Sequence, residues 1–416
     1  MQRRFFLRSG AAALVTMGLS PSFLRRTAFG MELPAAQKGK VLICLFQRGA
    51  ADALNVVVPF GDPNYYKLRP NIAIPSPLNG RGAAGAIDLD GFFGFHPMLA
   101  PLQPLYARGM LAPIHAVGSP SSTRSHFDAQ DYMESGTPDN KGTGDGWLNR
   151  YLATNGTCEQ CEATPFRAVA MVEQTPRILQ GNAPAVAMGS LDQFTVRSTG
   201  DTVTRLEALY RTGTPDAIHG AGAEMFDAVK MLKSANPQQY QPRNGANYPT
   251  TQFGNRLRQV AQLIKSNVGL EIAFADIGGW DTHVNQGNVT GALAGRLDDF
   301  AKSIAALVTD LGDKMDDVVI LTMSEFGRMA RQNGNGGTDH GHAGAMMVIG
   351  GQVKGQNVYG TWPGLAPEQL YEGRDLALTT DFRTVFREIA TRHLGATKPD
   401  ALFPGFTGGH ALGLLG

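Results

Sequence analysis

Leu270-Glu271-Ile272-Ala273-Phe274-Ala275, then Gly278-Gly279-Trp280-Asp281-Thr282-His283, the run from Gly291 to Leu311, Asp317 to Met323, and Ser324-Glu325-Phe326-Gly327-Arg328 follow one another without a long interruption. The two short apolar runs read as buried strands, and the long run between them has the spacing of an amphipathic helix. Strand, helix, strand in this order makes a parallel βαβ unit, whose sheet is covered on both faces. The expected fold class is therefore α/β, a mainly parallel sheet with helices on both sides.

The same alternation extends outward. Val41 to Phe46 reads as a buried first strand, Pro97 to Arg108 as a helix ending near Gly109, and Met110 to Val117 as a second strand. Ser125 to Glu134 is expected to be a helix opened by Ser125 as cap and closed by Gly136. Strands are expected at 168–172, 185–188 and 345–349, and a closing helix at 381–393. Helical spacing at 203–209, 223–233 and 253–266, broken by the Pro- and Asn-rich stretch 236–248, reads as a helical insertion around 200–268. The chain has 416 residues and 43% apolar content, with no internal repeat, and residues 38–416 are taken as one domain.

The N-terminus, Arg3-Arg4-Phe5-Phe6-Leu7-Arg8 followed by a weakly apolar run and a small-residue end, reads as a twin-arginine signal over residues 1–30. That run is too short for a stable membrane anchor, and no later stretch approaches the roughly 20 apolar residues of a spanning helix. The expectation is a periplasmic or secreted protein whose export partner is the twin-arginine translocase. The formal charge of +1 falls to −4 without the first thirty residues, which hold five arginines and no acid. Neither a nucleic acid nor an anionic membrane is indicated as partner, since both call for a concentrated basic excess. Of three cysteines, Cys44 lies in an apolar run and is expected to be buried. Cys158 and Cys161 can close a local disulfide, bind a metal with outside help or exchange electrons, the disulfide being the favoured reading.

Chemistry concentrates in loops. Asp281 and His283, Glu325, and Asp339 with His340 sit in three likely loops, two of them just beyond a strand. In open α/β sheets that is the crevice where ligands collect. A mixed oxygen and nitrogen set suits Zn²⁺, Mn²⁺ or Fe, and Ca²⁺ only if the imidazoles stand aside. Taken singly, Asp281 and Asp339 also read as turn or cap residues. Asp52, after the first strand, would enter the same crevice if that strand is central. Ser125, at a helix N-terminus, is either a plain cap or a hydroxyl in an environment that favours an anion.

The ordered set Arg48-Gly49-x-x-Asp52-x-Leu54-Asn55, His96-Pro97, Arg124-Ser125-His126-Phe127, Gly279 to His283, Ser324 to Arg328 and Gly337 to Gly341 resembles the exported bacterial family known as domain of unknown function 1501. The resemblance covers nearly all of the chain beyond the export segment. That family is similar in turn to the alkaline phosphatase and sulfatase superfamily, whose members hold one or two divalent ions at the C-terminal ends of a parallel sheet. By that resemblance the fold is alkaline phosphatase-like, and Asp52, Asp281, His283, Glu325, Asp339 and His340 are the metal candidates for Zn, Mn or Ca. Ser125 is the candidate nucleophile, with Arg124 and His126 beside it; Arg48, Arg124 and Arg328 are the candidate oxyanion binders, and His126 or His342 is the proton donor or a further ligand. The resemblance implies a hydrolase of phosphate or sulfate esters, on small molecules or polymers. The rival is a non-catalytic metal-bearing surface or assembly protein. The chain departs from the superfamily in the short Asp281-x-His283 spacing and in supplying Glu325-Phe326 where an Asp-His pair is usual.

Overall fold

A computed structural model describes residues 39–77, 85–155, 164, 166–191 and 240–416. The expected twin-arginine segment 1–30, Cys158, Cys161 and the expected helices 203–209 and 223–233 lie outside the described residues.

Among the described residues eleven strands are assigned: β1 (Val41–Arg48), β2 (Val57–Val58), β3 (Ile87–Asp88), β4 (Gly94–Phe95), β5 (Leu111–Gly118), β6 (Ala168–Ala170), β7 (Val186–Ala187), β8 (Ile272–Gly278), β9 (Val318–Met323), β10 (Gly344–Gly350) and β11 (Thr380–Asp381). The main sheet runs β11-β5-β10-β9-β1-β8-β6-β7, and a small sheet runs β2-β4-β3. β1 is central, parallel to β8 on one side and β9 on the other. Its alternation sorts side chains onto two faces. Val41, Ile43 and Leu45 join one core with the helices Gln252–Lys265 and Ala292–Leu311. Leu42, Cys44 and Phe46 join another with the helices Trp147–Thr154 and Phe382–Arg392. The expected helix cover on both faces is present, and burial raises the Cys44 thiol far above its ordinary range.

β10 departs from the parallel pattern: it pairs antiparallel with both β9 and β5. The segment from β9 to β10 contains a loop instead of a crossover helix, and an antiparallel neighbour needs none. Residues 324–343 therefore leave and re-enter the sheet at the same edge. The C-terminal ends of β1, β5 and β8 lie at that edge as well, so four connections meet there. The expected helix at 97–108 is instead a 3₁₀ turn, Pro97–Leu102, followed by a short α-helix, Gln103–Ala107. Pro101 and Pro104 remove backbone donors from what would be a continuous ladder.

Candidate metal centre

Four side chains from three of these connections point at one another. His126 opens the helix His126–Ser135, which follows β5 and is capped by Ser125 at its start and by Gly136, at φ 70°, at its end. Asp281 and His283 follow β8, and His340 belongs to the β9–β10 loop. His340 Nε2 lies 3.0 Å from His126 Nε2 and 3.0 Å from His283 Nε2. Asp281 Oδ1 is 3.1 Å from His283 Nε2 and 3.4 Å from His340 Nε2. Ligand atoms of His126, Asp281 and His340 all fall within 4.8 Å of one another.

Each imidazole is held from behind through Nδ1. His126 Nδ1 donates to Glu325 Oε1 at 2.7 Å, His283 Nδ1 to Asp339 Oδ1 at 3.0 Å, and His340 Nδ1 to the Arg124 carbonyl at 2.9 Å. A carboxylate or carbonyl can only accept, so in the neutral rings the proton sits on Nδ1 and the bare Nε2 lone pairs face inward. Three lone pairs and a carboxylate crowded this closely repel unless a cation lies among them. Imidazoles oriented by outer carboxylates and carbonyls are the usual supports of metal ligands. The donor set fits a divalent ion of the Zn or Mn type.

Electrostatics follow from the same contacts. The Glu325 hydrogen bond raises the His126 pKa above the ordinary histidine range against the opposing effect of burial. Burial lowers that of His340, with the His126 and Arg328 charges adding to it. Burial resists ionisation of Asp281, but the Arg328 hydrogen bond and charge carry its carboxyl below the usual range. Burial likewise works against Glu325, and hydrogen bonds from His126 and Gln130 hold it charged.

Arg328 staples the loops together. Its side chain is fully buried, and it donates to the carbonyls of Ala50, Gly49, Thr338 and Trp280 and to Asp281. With its donors committed to the protein, Arg328 is a positioning residue, contrary to the expectation that it binds an oxyanion. The staple needs close approach at Gly49, where φ is +119° and a Cβ would meet the Asp281 nitrogen at 2.7 Å.

Other expected site residues lie elsewhere. Asp52 is outside the cluster, fully buried and paired with Arg69 at 2.5 Å, and it also accepts from Gln286 at 2.6 Å. Glu325 and Asp339 stand behind His126 and His283 and are not at the meeting point. Glu325 additionally accepts from Gln130, at 2.9 Å, and the Gly49 N–H, at 2.8 Å. Arg48 is bound to Asp276, Glu134 and Gln130, and Arg124 to Asp375 and Glu372, so neither guanidinium is free for substrate in this conformation. His342 stacks on Tyr371 with ring centroids 4.3 Å apart, away from His340. The Ser125 hydroxyl accepts a long 3.5 Å bond from the Asp128 N–H, as an N-cap does.

Of the two roles expected for His126, proton donor or further ligand, its geometry favours the second. Arg69 and Gln286, which decide the fate of Asp52, carried no sequence signal.

No curated protein matches the chain. Among solved structures, the crystal structure of Ps i-CgsB in complex with k-i-k-neocarrahexaose is similar at 10% identity, with 87% of this chain and 73% of that one covered and a TM-score of 0.39. The lipoteichoic acid synthase LtaP from Listeria monocytogenes is similar at 9% identity, with 74% of this chain and 62% of that one covered and a TM-score of 0.30. The family described as Protein of unknown function (DUF1501) matches residues 112–403, most of the chain and nearly all of the centre just described, and to that family this chain belongs.

Proposed function

We propose that the chain is an exported, metal-dependent hydrolase of phosphate or sulfate esters, with one divalent ion held by His126, His283, His340 and Asp281. The observation that carries the reading is the inward convergence of three Nε2 atoms and a carboxylate, each imidazole held through its Nδ1. One ion fits better than two, because Asp52 is neutralised by Arg69 and Glu325 is consumed by His126 and Gln130. A bound ion supplies Lewis acidity, polarising an ester oxygen and making water or a hydroxyl a usable nucleophile near neutral pH. The chain's own residues then orient the chemistry: Glu325 and Asp339 fix two imidazoles, Arg328 fixes Asp281, and Ser125, adjacent to His126, offers a hydroxyl whose cap bond is weak. Export rests on the Arg3-Arg4 segment; among the described residues no helix is long and apolar enough to cross a membrane.

The test is metal analysis together with turnover of an aryl phosphate and an aryl sulfate by protein from the export compartment. Metal near one equivalent and turnover of one ester class are expected. Ser125→Ala should abolish turnover while keeping the metal, at about 1 kcal/mol of stability for the lost cap. Full activity in that variant would assign the attack to water instead of Ser125. Absence of turnover by metal-loaded protein would favour the second reading, a non-catalytic metal-bearing surface protein. That reading is supported by Phe127 and Val284, large apolar side chains 90% and 56% exposed immediately after His126 and His283.

A further inference from the structure

Against the β9–β10 loop lies a cavity of about 220 Å³ whose lining includes Lys67, Leu68, Arg331, Leu365, Leu370 and Arg374. Three of its lining residues are cationic and none is acidic. Of the nearby carboxylates, Glu372 pairs with Arg124 at 2.7 Å, and Asp375 holds Arg124 at 2.6 Å and the lining Arg374 Nε at 3.0 Å, so neither reaches Lys67 or Arg331. Lys67 has only the amide oxygen of Asn64, at 3.2 Å, and Arg331 has no hydrogen-bond or ion partner among the described residues. Arg374 Nη2 donates to the His340 carbonyl at 2.8 Å, which leaves Nη1 without a partner among the described residues. Leu68 and Leu365 are buried and supply an apolar floor.

An apolar hollow bearing two cations, Lys67 and Arg331, that no carboxylate pairs among the described residues is matched by an amphiphilic anion, because forked guanidinium donors suit tetrahedral oxyanions and the hollow suits hydrocarbon. The volume equals that of about seven waters at roughly 30 Å³ each, enough for one oxyanion head and a short organic group. We propose that this cavity is a binding site for a sulfate- or phosphate-type group carried on an apolar moiety, distinct from the metal centre and linked to it through Arg374, which donates to the His340 carbonyl, and Met329, whose N–H donates to the Asp339 carbonyl. The site stands on the cavity itself and does not depend on the ester hydrolase reading.

Calorimetric titration of the full-length protein with hexanesulfonate and hexylphosphonate tests it, with inorganic sulfate and 1-hexanol as the separated halves of the probe. Saturable binding of the amphiphilic anions is expected, at least about tenfold tighter than either half, since burying a short hydrocarbon chain adds to the ionic contact. Lys67→Ala and Arg331→Ala should each weaken it by up to about fivefold, the range of exposed ion pairs, and the Lys67→Glu, Arg331→Glu double variant should abolish it. Binding should survive chelation of any metal. Binding unchanged in the double charge reversal, binding lost on chelation, or no saturable binding at millimolar probe would each overturn the assignment. Circular dichroism of the charge-reversal variant guards against misfolding; if it fails to fold, the two single alanine variants, both at exposed positions, decide the question.

Discussion

Asp52 and Asp281 leave neighbouring parallel strands, β1 and β8, at the same edge of the sheet, yet they meet opposite fates. Asp52 is fully buried against Arg69 and Gln286, so its charge is spent inside the protein. Asp281 is 46% exposed, and although Arg328 holds it, three imidazoles still face it. The counter-charge that reaches a carboxylate, more than its place at a strand end, decides whether it remains available for a ligand.

The largest expected effect lies on the closed side of that comparison. Asp52→Asn leaves Arg69 buried and unpaired, a change expected to cost about 3–5 kcal/mol in denaturant unfolding, with metal content unchanged in the fraction that folds. Asp281→Asn should lose most of its metal, and in metal-free protein it should cost less stability than Asp52→Asn, because Asp281 is 46% exposed and Arg328 keeps four carbonyl acceptors. If both variants lose metal equally, the distinction between the two carboxylates fails.

Acid probes the closed interior in another way. Burial holds His115 and His393 at a pKa of about 4. Their unfolded values lie near 6.5, so between these limits the unfolded chain takes up protons that the folded one refuses. Stability is therefore full above about pH 6.5 and falls as pH drops towards 4, by about 3 kcal/mol for each ring at the limit. His393→Gln should flatten that slope; an identical pH profile in the variant would mean the ring is not buried neutral.

Metal removal should affect the open side alone. An ion that binds only the folded chain at a hundredfold excess over its Kd adds about 2.7 kcal/mol, so chelation should lower the melting temperature of the wild type. The same treatment should leave His340→Ala, already without one of the proposed ligands, at its own melting point. A chelator response in His340→Ala equal to that of the wild type would sink the proposed ligand set.

The smallest contrast is between the two supporting carboxylates. Glu325→Gln and Asp339→Asn should each weaken metal binding without abolishing it, within the roughly 10- to 100-fold range of outer-shell changes. The buried Glu325 should matter more than the half-exposed Asp339. Equal affinities in wild type and both variants would show that the histidines need no such support.

Local pattern made much of this architecture legible. The apolar runs at 41–46 and 317–323 are strands, the 20-residue helix Ala292–Leu311 lies where its spacing placed it, and Ser125 caps its helix as its residue type suggests. Asp281, His283 and His340 were recognisable because loops beyond parallel strands converge whatever their distance in sequence. The direction of β10 was not legible, since an apolar run reads the same way parallel or antiparallel. Nor were the partners of Asp52 and Arg48, because Arg69 and Glu134 reach them through packing that has no sequence period.

The sequence by itself thus determined an α/β chain with alternating apolar strands and helices, and it determined which loops hold carboxylates and imidazoles, because periodicity and residue type act over a few neighbouring positions. Only the tertiary structure decided that β10 runs backwards, that His126 joins the inner ring while Glu325 and Asp339 stand behind it, and that Arg69 takes Asp52 out of play. Those outcomes depend on distances of a few ångströms between groups that lie from 17 to 214 residues apart, where no periodic pattern links the partners and the contact exists only once the chain has folded.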